Sequence, residues 1–218
     1  MITNLVQARH EYHVHNYRLG NLVYCATPKC ASTFYSTLVL ANGWQRINWS
    51  QIDWNQDHVF GFYAEPVDRW YKAIQEDIQN EERYSFSNLI YDQLENHADR
   101  CFPVTFHSLP ITSALGAKAY DIDWIPLLDH TSNVEQFMLL CAKYNITIQF
   151  DDTVDRHVSS GQKMHDIVHI KRVFGHGDPK WAVWYLHLAN DIELWQNICE
   201  KFNSHATIWD NMSWLRND

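Results

Sequence analysis

The segment Tyr24–Tyr35 constrains the fold of this chain more than any other stretch of its 218 residues. Leu22-Val-Tyr-Cys-Ala26 is a short apolar run that ends at Thr27-Pro28, which predicts a buried strand rather than a helix. Ser32 to Leu40 then predicts a helix that begins at a small hydroxyl residue and ends before Asn42-Gly43. A strand, a tight loop and a helix in this order are typical of phosphate binding, because the N–H groups and the dipole at a helix start attract anions.

The loop Thr27–Thr33 between this strand and this helix carries residues suited to an anion. Ala31 and Ser32 are small, so the backbone comes close to a bound phosphate, and Ser32 and Thr33 offer hydroxyl donors. Lys29 adds a full positive charge. This is not a Walker loop, since Gly-x-x-x-x-Gly-Lys-Ser/Thr is absent and the lysine here precedes the small residues. An ordinary strand-to-helix turn with an exposed lysine remains the alternative.

Strands and helices alternate along the first two thirds of the chain. The further predicted strands are Trp44–Trp49, His58–Tyr63 and Trp124–Leu128, and the further predicted helices are Pro66–Ile78, Ser87–His97, a segment from about Asn133 through Cys141, and 179–200. This alternation predicts an α/β fold, P-loop-like and three-layered, with a central, mainly parallel sheet flanked by helices. We expect one domain over residues 1–218, with a polar N-terminal arm or edge strand at 1–18 and a loop from Pro103 to Ala119.

Composition argues against nucleic acid, a membrane and disulfide bonds as parts of the function. The formal net charge is −9, whereas a nucleic-acid binder normally carries a basic face. No basic stretch precedes an apolar run at the N-terminus, and no segment approaches the ~18 apolar residues that span a bilayer, so we expect a cytoplasmic protein. The five cysteines form no Cys-x-x-Cys pair, which predicts reduced thiols.

The hexapeptide Pro28–Thr33 resembles the 5′-phosphosulfate-binding loop of sulfotransferases that use 3′-phosphoadenosine 5′-phosphosulfate (PAPS), in particular the membrane-type carbohydrate sulfotransferases. The resemblance implies PAPS as the donor, 3′,5′-adenosine bisphosphate (PAP) as its product, and no metal. It also implies that Lys29 contacts the bridging oxygen of the leaving phosphate. The residues that it implies around the 5′-phosphate are Pro28, Lys29, Cys30, Ala31, Ser32, Thr33 and Phe34.

A second segment, Val59–Lys72, is similar to the family's Arg-Asp/Glu-Pro-x-x-Arg-x-x-Ser element and matches it at Glu65, Pro66 and Arg69. Two positions that bind the 3′-phosphate in the family depart from the pattern, because Ala64 replaces the arginine and Lys72 the serine. Arg69 and Lys72 are three apart on one helix face, so Lys72 is a candidate for the lost cation. The alternatives are a decayed 3′-phosphate site or a different donor.

Later segments follow the order of the same family. Asp121–Leu140 is similar to a strand-then-helix segment of the carbohydrate sulfotransferases, and Asp191–Trp195 to the family's last helix. Arg156–Lys163 is similar to the polar loop that closes over the nucleotide. That similarity adds three predicted cofactor-binding residues, which are Ser160, Gly161 and Lys163.

Sulfuryl transfer also requires a base that takes the proton of the acceptor hydroxyl, and His or a carboxylate suits that task. The interval Gln51–His58 supplies Asp53, Asp57 and His58, and His107 is a further candidate. Asp53 and His58 are our first choices.

Two histidine pairs have spacings that suit a metal. His13 and His15 share one face of an extended strand, and His165 and His169 are four apart, as on a helix. Neither pair has an evident third ligand, so structural or surface roles are favoured.

The sequence thus predicts a sulfotransferase that moves a sulfuryl group from PAPS to a hydroxyl or amine of a glycan or small molecule. A nucleotide-dependent kinase-like enzyme and a non-catalytic nucleotide-binding or interaction module are the alternatives.

Overall fold

The computed structural model describes residues 14–79, 107–128, 130–150 and 179–202. The chain divides into two compact units, one built from Met1–Ala64 and Ile111–His157 and the other from Glu65–Pro110 and Val158–Asp218. Each unit therefore combines two separate stretches of chain, and neither is a consecutive N- or C-terminal domain.

The first unit contains a sheet of five strands, which are β1 (His15–Leu19), β2 (Leu22–Ala26), β3 (Gln45–Ile47), β4 (His58–Tyr63) and β5 (Asp123–Pro126). Their order across the sheet is β3-β1-β2-β4-β5. The pairs β2–β4 and β4–β5 are parallel, whereas β1 is antiparallel to both β2 and β3. β1 alone therefore runs against the other four strands. The predicted α/β class is confirmed, with a mixed sheet.

The position of β1 corrects one prediction. Residues 15–18 are neither an irregular arm nor an edge strand, since β1 lies between β2 and β3. Gly20, with a φ of 58°, and Asn21 form the two-residue turn that joins β1 to β2, a turn type that favours glycine. Residues 1–13 of the predicted arm lie outside the described residues.

Five α-helices are described, namely α1 (Ser32–Ala41), α2 (Pro66–Gln79), α3 (Ile111–Leu115), α4 (His130–Lys143) and α5 (Pro179–Lys201). They confirm the predicted helices that begin at Ser32 and at Pro66, the predicted helix through Cys141, and the predicted helix from residue 179. The predicted loop is wrong from Ile111 onward, because α3 and a 3-10 helix over Gly116–Tyr120 occupy that stretch. The predicted helix Ser87–His97 lies outside the described residues.

Helices α1 and α4 pack on the same face of the sheet through aromatic side chains. Tyr35 of α1 stacks on Phe62 of β4, with ring centroids 3.8 Å apart. Phe137 of α4 contacts both rings, at 5.5 Å from Tyr35 and 6.3 Å from Phe62. These buried rings are core residues, and they fix the start of α1 at the carboxyl edge of the sheet.

The second unit contains α2 and α5. On α5, Leu188, Ile192 and Trp195 are buried, at the spacing of one helical stripe, as the sequence predicts. On α2, Trp70 is fully buried. No helix in the four described ranges is long and apolar enough to cross a membrane.

The four described cysteines are reduced, as the sequence predicts. Cys25, Cys30, Cys141 and Cys199 are free thiols and buried. Burial raises the pKa of Cys141 to about 12, so this thiol stays protonated and unreactive near neutral pH.

Candidate functional site

The loop between β2 and α1 lies at a topological switch point of the sheet. The chain leaves β2 through α1 toward β3 on one side, and it leaves β4 toward β5 on the other side. Successive connections thus diverge between the neighbouring strands β2 and β4. In open α/β sheets, ligands bind in the crevice at the carboxyl ends of two such strands. The loop Thr27–Ala31 is therefore where the fold favours a ligand.

Two residues of this loop have a left-handed backbone although neither is glycine. The φ angles are 61° at Lys29 and 55° at Ala31, and Cys30 between them is not left-handed. The Cys30 N–H donates to the Thr27 carbonyl at 3.3 Å, which closes a tight turn. Alternation of this kind turns successive N–H groups toward one side and forms anion-binding concavities. Left-handed non-glycine residues cost energy and cluster at functional sites.

Two buried side chains fix the loop to the end of β4. The Thr27 hydroxyl donates to the Phe62 carbonyl at 3.2 Å, and the Cys30 sulfur accepts from the Ala64 N–H at 3.4 Å. Thr27 and Cys30 are both only 1% exposed. Sequence reasoning missed these anchoring roles, and the available signal was a hydroxyl residue and a thiol on either side of Pro28-Lys29.

The start of α1 presents its polar side chains outward. Thr33 is exposed, and Lys29 and Ser32 are half-buried. Ala31 precedes the helix without a side-chain cap, and the Tyr35 N–H makes the first backbone bond of the helix, to the Ala31 carbonyl at 3.1 Å. The amides of Ser32 and Thr33 lie in the first turn, ahead of that bond. The structure thus brings together the predicted set from Pro28 to Phe34.

Arg69 and Lys72, the predicted partners of a 3′-phosphate, lie in the second unit on α2. The Arg69 guanidinium is buried and donates to the carbonyls of His107 at 3.1 Å and Leu109 at 2.8 Å. Lys72 is half exposed and forms an ion pair with Asp68 at 2.6 Å. Although both lie on one helix, only Lys72 is on the surface. Phosphate binding by either residue stays a prediction, as does a catalytic role for His107.

Glu65, at the start of α2, is a buried carboxyl group. Its Oε2 accepts from the Asp68 N–H at 2.6 Å, and its Oε1 has no hydrogen-bond partner among the described residues. Burial is the main cause that raises the pKa of Glu65 to about 7. A carboxyl group of this kind exchanges protons near neutral pH. The sequence resemblance matched Glu65 but gave no sign of this shift.

The structure does not bring the two preferred base candidates to the loop. His58 is the first residue of β4 and pairs with Leu22 at the start of β2, whereas the loop follows the other end of β2 at Ala26. The separation along the strand is roughly 13 Å. Asp53 lies in the turn before β4, where its N–H donates to Asp57 at 2.7 Å. Parallel strands begin at the same edge, so these residues lie at the amino edge, opposite Lys29.

The remaining predicted residues fall in two groups. Ser160, Gly161 and Lys163 lie outside the described residues, as do His13, His165 and His169. His15 is described, and its Nδ1 lies 2.7 Å from a guanidinium nitrogen of Arg46. Burial, followed by the charge of Arg46, lowers the pKa of His15. In the described part of the chain, no three His, Cys, Asp or Glu residues are grouped so that they could hold a metal.

Comparisons of the chain with protein-family models, with curated proteins and with solved structures find no match in any of the three. Inferences about function therefore rest on the loop and its surroundings.

Proposed function

We propose that this protein is a PAPS-dependent sulfotransferase with a P-loop-like fold, which transfers a sulfuryl group to a hydroxyl or amine of a glycan or small molecule. One observation carries the proposal, namely the anchored loop Thr27–Ala31 at the switch point, with Lys29 and Ala31 both left-handed. The loop combines a backbone suited to an anion with a cation in its middle. Its residues also match the sulfotransferase pattern from Pro28 to Thr33.

The loop residues suit an in-line displacement. The acceptor oxygen or nitrogen forms a bond to sulfur while the bond between sulfur and the 5′-phosphate oxygen breaks, and the leaving phosphate gains negative charge. The Lys29 ammonium and the amides of Ser32 and Thr33 would hold that phosphate and stabilise the charge. The acceptor proton must go to a group at the carboxyl edge of the sheet, a requirement that His58 and Asp53 do not meet.

A second function, nucleotide binding without transfer, is favoured by two observations. The preferred base candidates lie at the opposite edge of the sheet, and Arg69 is enclosed by backbone carbonyls and Asp191. A protein that keeps the loop but lacks a base would bind the nucleotide and leave it unchanged.

Titration calorimetry with PAP, AMP and ATP tests the binding half of the proposal. We expect PAP to bind more tightly than AMP or ATP, and Lys29→Ala to abolish binding of PAP. Lys143→Ala is the matched control, because Lys143 is an exposed lysine at the end of α4. Preference for ATP would overturn the proposal in favour of a kinase-like protein.

Transfer of radiolabelled sulfate from PAPS to a panel of glycans, phenols and amines tests the catalytic half. Loss of one charge-stabilising contact costs roughly 10²–10³ in rate, so Lys29→Ala should lower transfer by at least that factor. Binding of PAP with no transfer to any acceptor would support the second function instead.

A further inference from the structure

Two buried polar groups without hydrogen-bond partners lie on α1 and α4, the helices that cover the ends of β4 and β5. Tyr35 of α1 and Asn133 of α4 are each only 1% exposed. The Tyr35 hydroxyl and the Asn133 Oδ1 have no hydrogen-bond partner in the described chain. Buried polar atoms without partners are rare in native proteins, and each one needs an explanation such as a functional role or a bound molecule.

Asn133 lies in the first turn of α4, at the carboxyl edge of the sheet. Its Nδ2 donates to the carbonyl of Pro126, the last residue of β5, at 2.6 Å. This bond fixes the orientation of the amide, because only the NH₂ group can donate to a carbonyl. The unpaired Oδ1 therefore also lies beside the end of β5, as an acceptor without a donor.

Tyr35 brings a hydroxyl group to the same end of the sheet, although its ring is a core residue. The ring stacks on Phe62 of β4, which pairs with Ile125 of β5. It also lies 5.5 Å from the ring of Phe137, one helical turn after Asn133 on α4. Burial raises the pKa of Tyr35, so its hydroxyl stays protonated and is a hydrogen-bond donor.

Both groups lie at the edge of the sheet that carries the loop Thr27–Ala31. β2, β4 and β5 are parallel neighbours, so their carboxyl ends share this edge. The loop follows β2 and Asn133 follows β5, with β4 between them, and two strand spacings amount to roughly 10 Å. Tyr35 lies on the helix that begins directly after the loop. A molecule bound by Tyr35 and Asn133 would therefore lie beside the anion of the loop, where an in-line transfer needs its acceptor.

The two polar groups together suit a hydroxyl group. Its oxygen can accept from the Tyr35 hydroxyl while its hydrogen is donated to the Asn133 Oδ1, whereas an ammonium group cannot accept and a carboxylate cannot donate. The rings of Phe62 and Phe137 make the surroundings apolar. Further hydroxyl groups, as in a glycan, would lose water there without finding partners.

We propose that Tyr35 and Asn133 bind the acceptor of the transfer reaction, a small molecule with one hydroxyl group on an apolar body. The inference rests on the proposed function, since it assigns the acceptor of that reaction. Both residues bind and orient the hydroxyl group. Neither removes its proton, because the Asn133 amide is not basic and Tyr35 is already protonated.

Titration with benzyl alcohol, followed by NMR of the ligand, tests the site without any transfer. Benzyl methyl ether keeps the oxygen but has no donor, and benzoate carries a negative charge. We expect saturable binding of the alcohol and roughly tenfold weaker binding of the other two, because each lacks a hydrogen for the Asn133 Oδ1. Equal binding of the ether would overturn the proposal, and so would the absence of alcohol binding.

Two variants that keep the size of the side chain locate the alcohol. Asn133→Leu removes the acceptor, and the Pro126 carbonyl still accepts from the Leu128 N–H at 3.1 Å. Tyr35→Phe removes only the hydroxyl group. Each should weaken alcohol binding roughly tenfold without lowering the urea midpoint of unfolding, because a buried group without a partner is lost. The matched control is Asn55→Leu at an exposed asparagine before β4, which should leave the affinity unchanged.

The same alcohol affinity in Asn133→Leu and Tyr35→Phe as in the natural protein would place the alcohol elsewhere and refute the proposal. Calorimetry with PAP separates this result from a failure of the proposed function. PAP affinity that is unchanged in both variants, together with weakened alcohol binding, supports the assignment to the acceptor. Without any PAP binding the sulfotransferase proposal fails, whereas alcohol binding that depends on Tyr35 and Asn133 would still support the hydroxyl site.

Discussion

The Arg69 guanidinium lies 3.5 Å from the Asp191 carboxylate, and the two side chains are 1% and 0% exposed. The pair joins α2 to α5 inside the second unit. Because two backbone carbonyls also accept from Arg69, both terminal nitrogens of its guanidinium have partners without any ligand, and only its Nε has none among the described residues. A substitution at Arg69 would therefore change the stability of the protein as well as any binding of the 3′-phosphate. Lys72 lies on the surface, so a substitution there is the better test of 3′-phosphate binding.

We predict that Asp191→Ala lowers the free energy of unfolding by about 3–5 kcal/mol, because it leaves the buried Arg69 charge without its carboxylate. Urea denaturation followed by circular dichroism measures the change. The control is Asp68→Ala, which breaks the exposed pair with Lys72 and should cost less than about 1 kcal/mol. Equal losses in the two variants would show that the buried pair stabilises the protein no more than the exposed pair does.

A second prediction concerns Gly61, in the middle of β4. A Cβ at this position would lie 2.5 Å from a ring carbon of Trp124 and 2.9 Å from the Cys25 carbonyl oxygen. Both neighbours are buried, so Gly61→Ala should destabilise the protein by about 1–3 kcal/mol. Thermal unfolding measures this. In the background of Trp124→Leu the same substitution should cost less, because one of the two clashes is removed; an unchanged cost would contradict the assignment to Trp124.

Local signals predicted the elements around the loop well. The apolar run of β2, the small residues after it and the hydroxyl start of α1 all lie within twenty residues, and each has its own physical cause. β1 was not predicted as an inner strand because His15, Asn16 and Arg18 are polar. Asn16 is buried because β1 pairs with a strand on each side. One of these strands, β3, lies almost thirty residues further along the chain, so no local pattern indicates the pairing.

The candidate site was predicted less completely, because the edge of the sheet at which a residue lies depends on the direction of its strand. Asp53 and His58 precede β4 in sequence, and a parallel β4 must begin at the edge away from the loop. A mainly parallel sheet by itself therefore implies that these two residues lie away from the loop. The partner of Arg69 lies 122 residues away, and no local pattern indicates such a contact.

We also predict that Ala31→Gly stabilises the protein. Ala31 has a φ of 55°, a left-handed conformation that costs a non-glycine residue roughly 1–2 kcal/mol and glycine almost nothing. Part of this gain is offset by the greater freedom of glycine in the unfolded chain, so a net gain of about 0.5–1 kcal/mol is expected in urea denaturation. The control is Ala142→Gly in α4, which should cost up to about 1 kcal/mol. A loss at both positions would mean that the loop is not left-handed at Ala31.

We predict that the free energy of unfolding depends on pH through the Glu65 carboxyl group. Its pKa rises from the ordinary 4.5 to about 7 on folding, mainly through burial. The folded state thus binds the proton more tightly, and this contribution is complete below about pH 4.5 and is lost as the pH rises through 7. The loss amounts to about 3 kcal/mol. Glu65→Gln does not titrate, so its stability relative to the natural protein should rise by that amount between pH 4 and pH 8 in urea denaturation. Titration of other groups cancels in this difference, and a difference that stays constant over the range would place the Glu65 carboxyl in water.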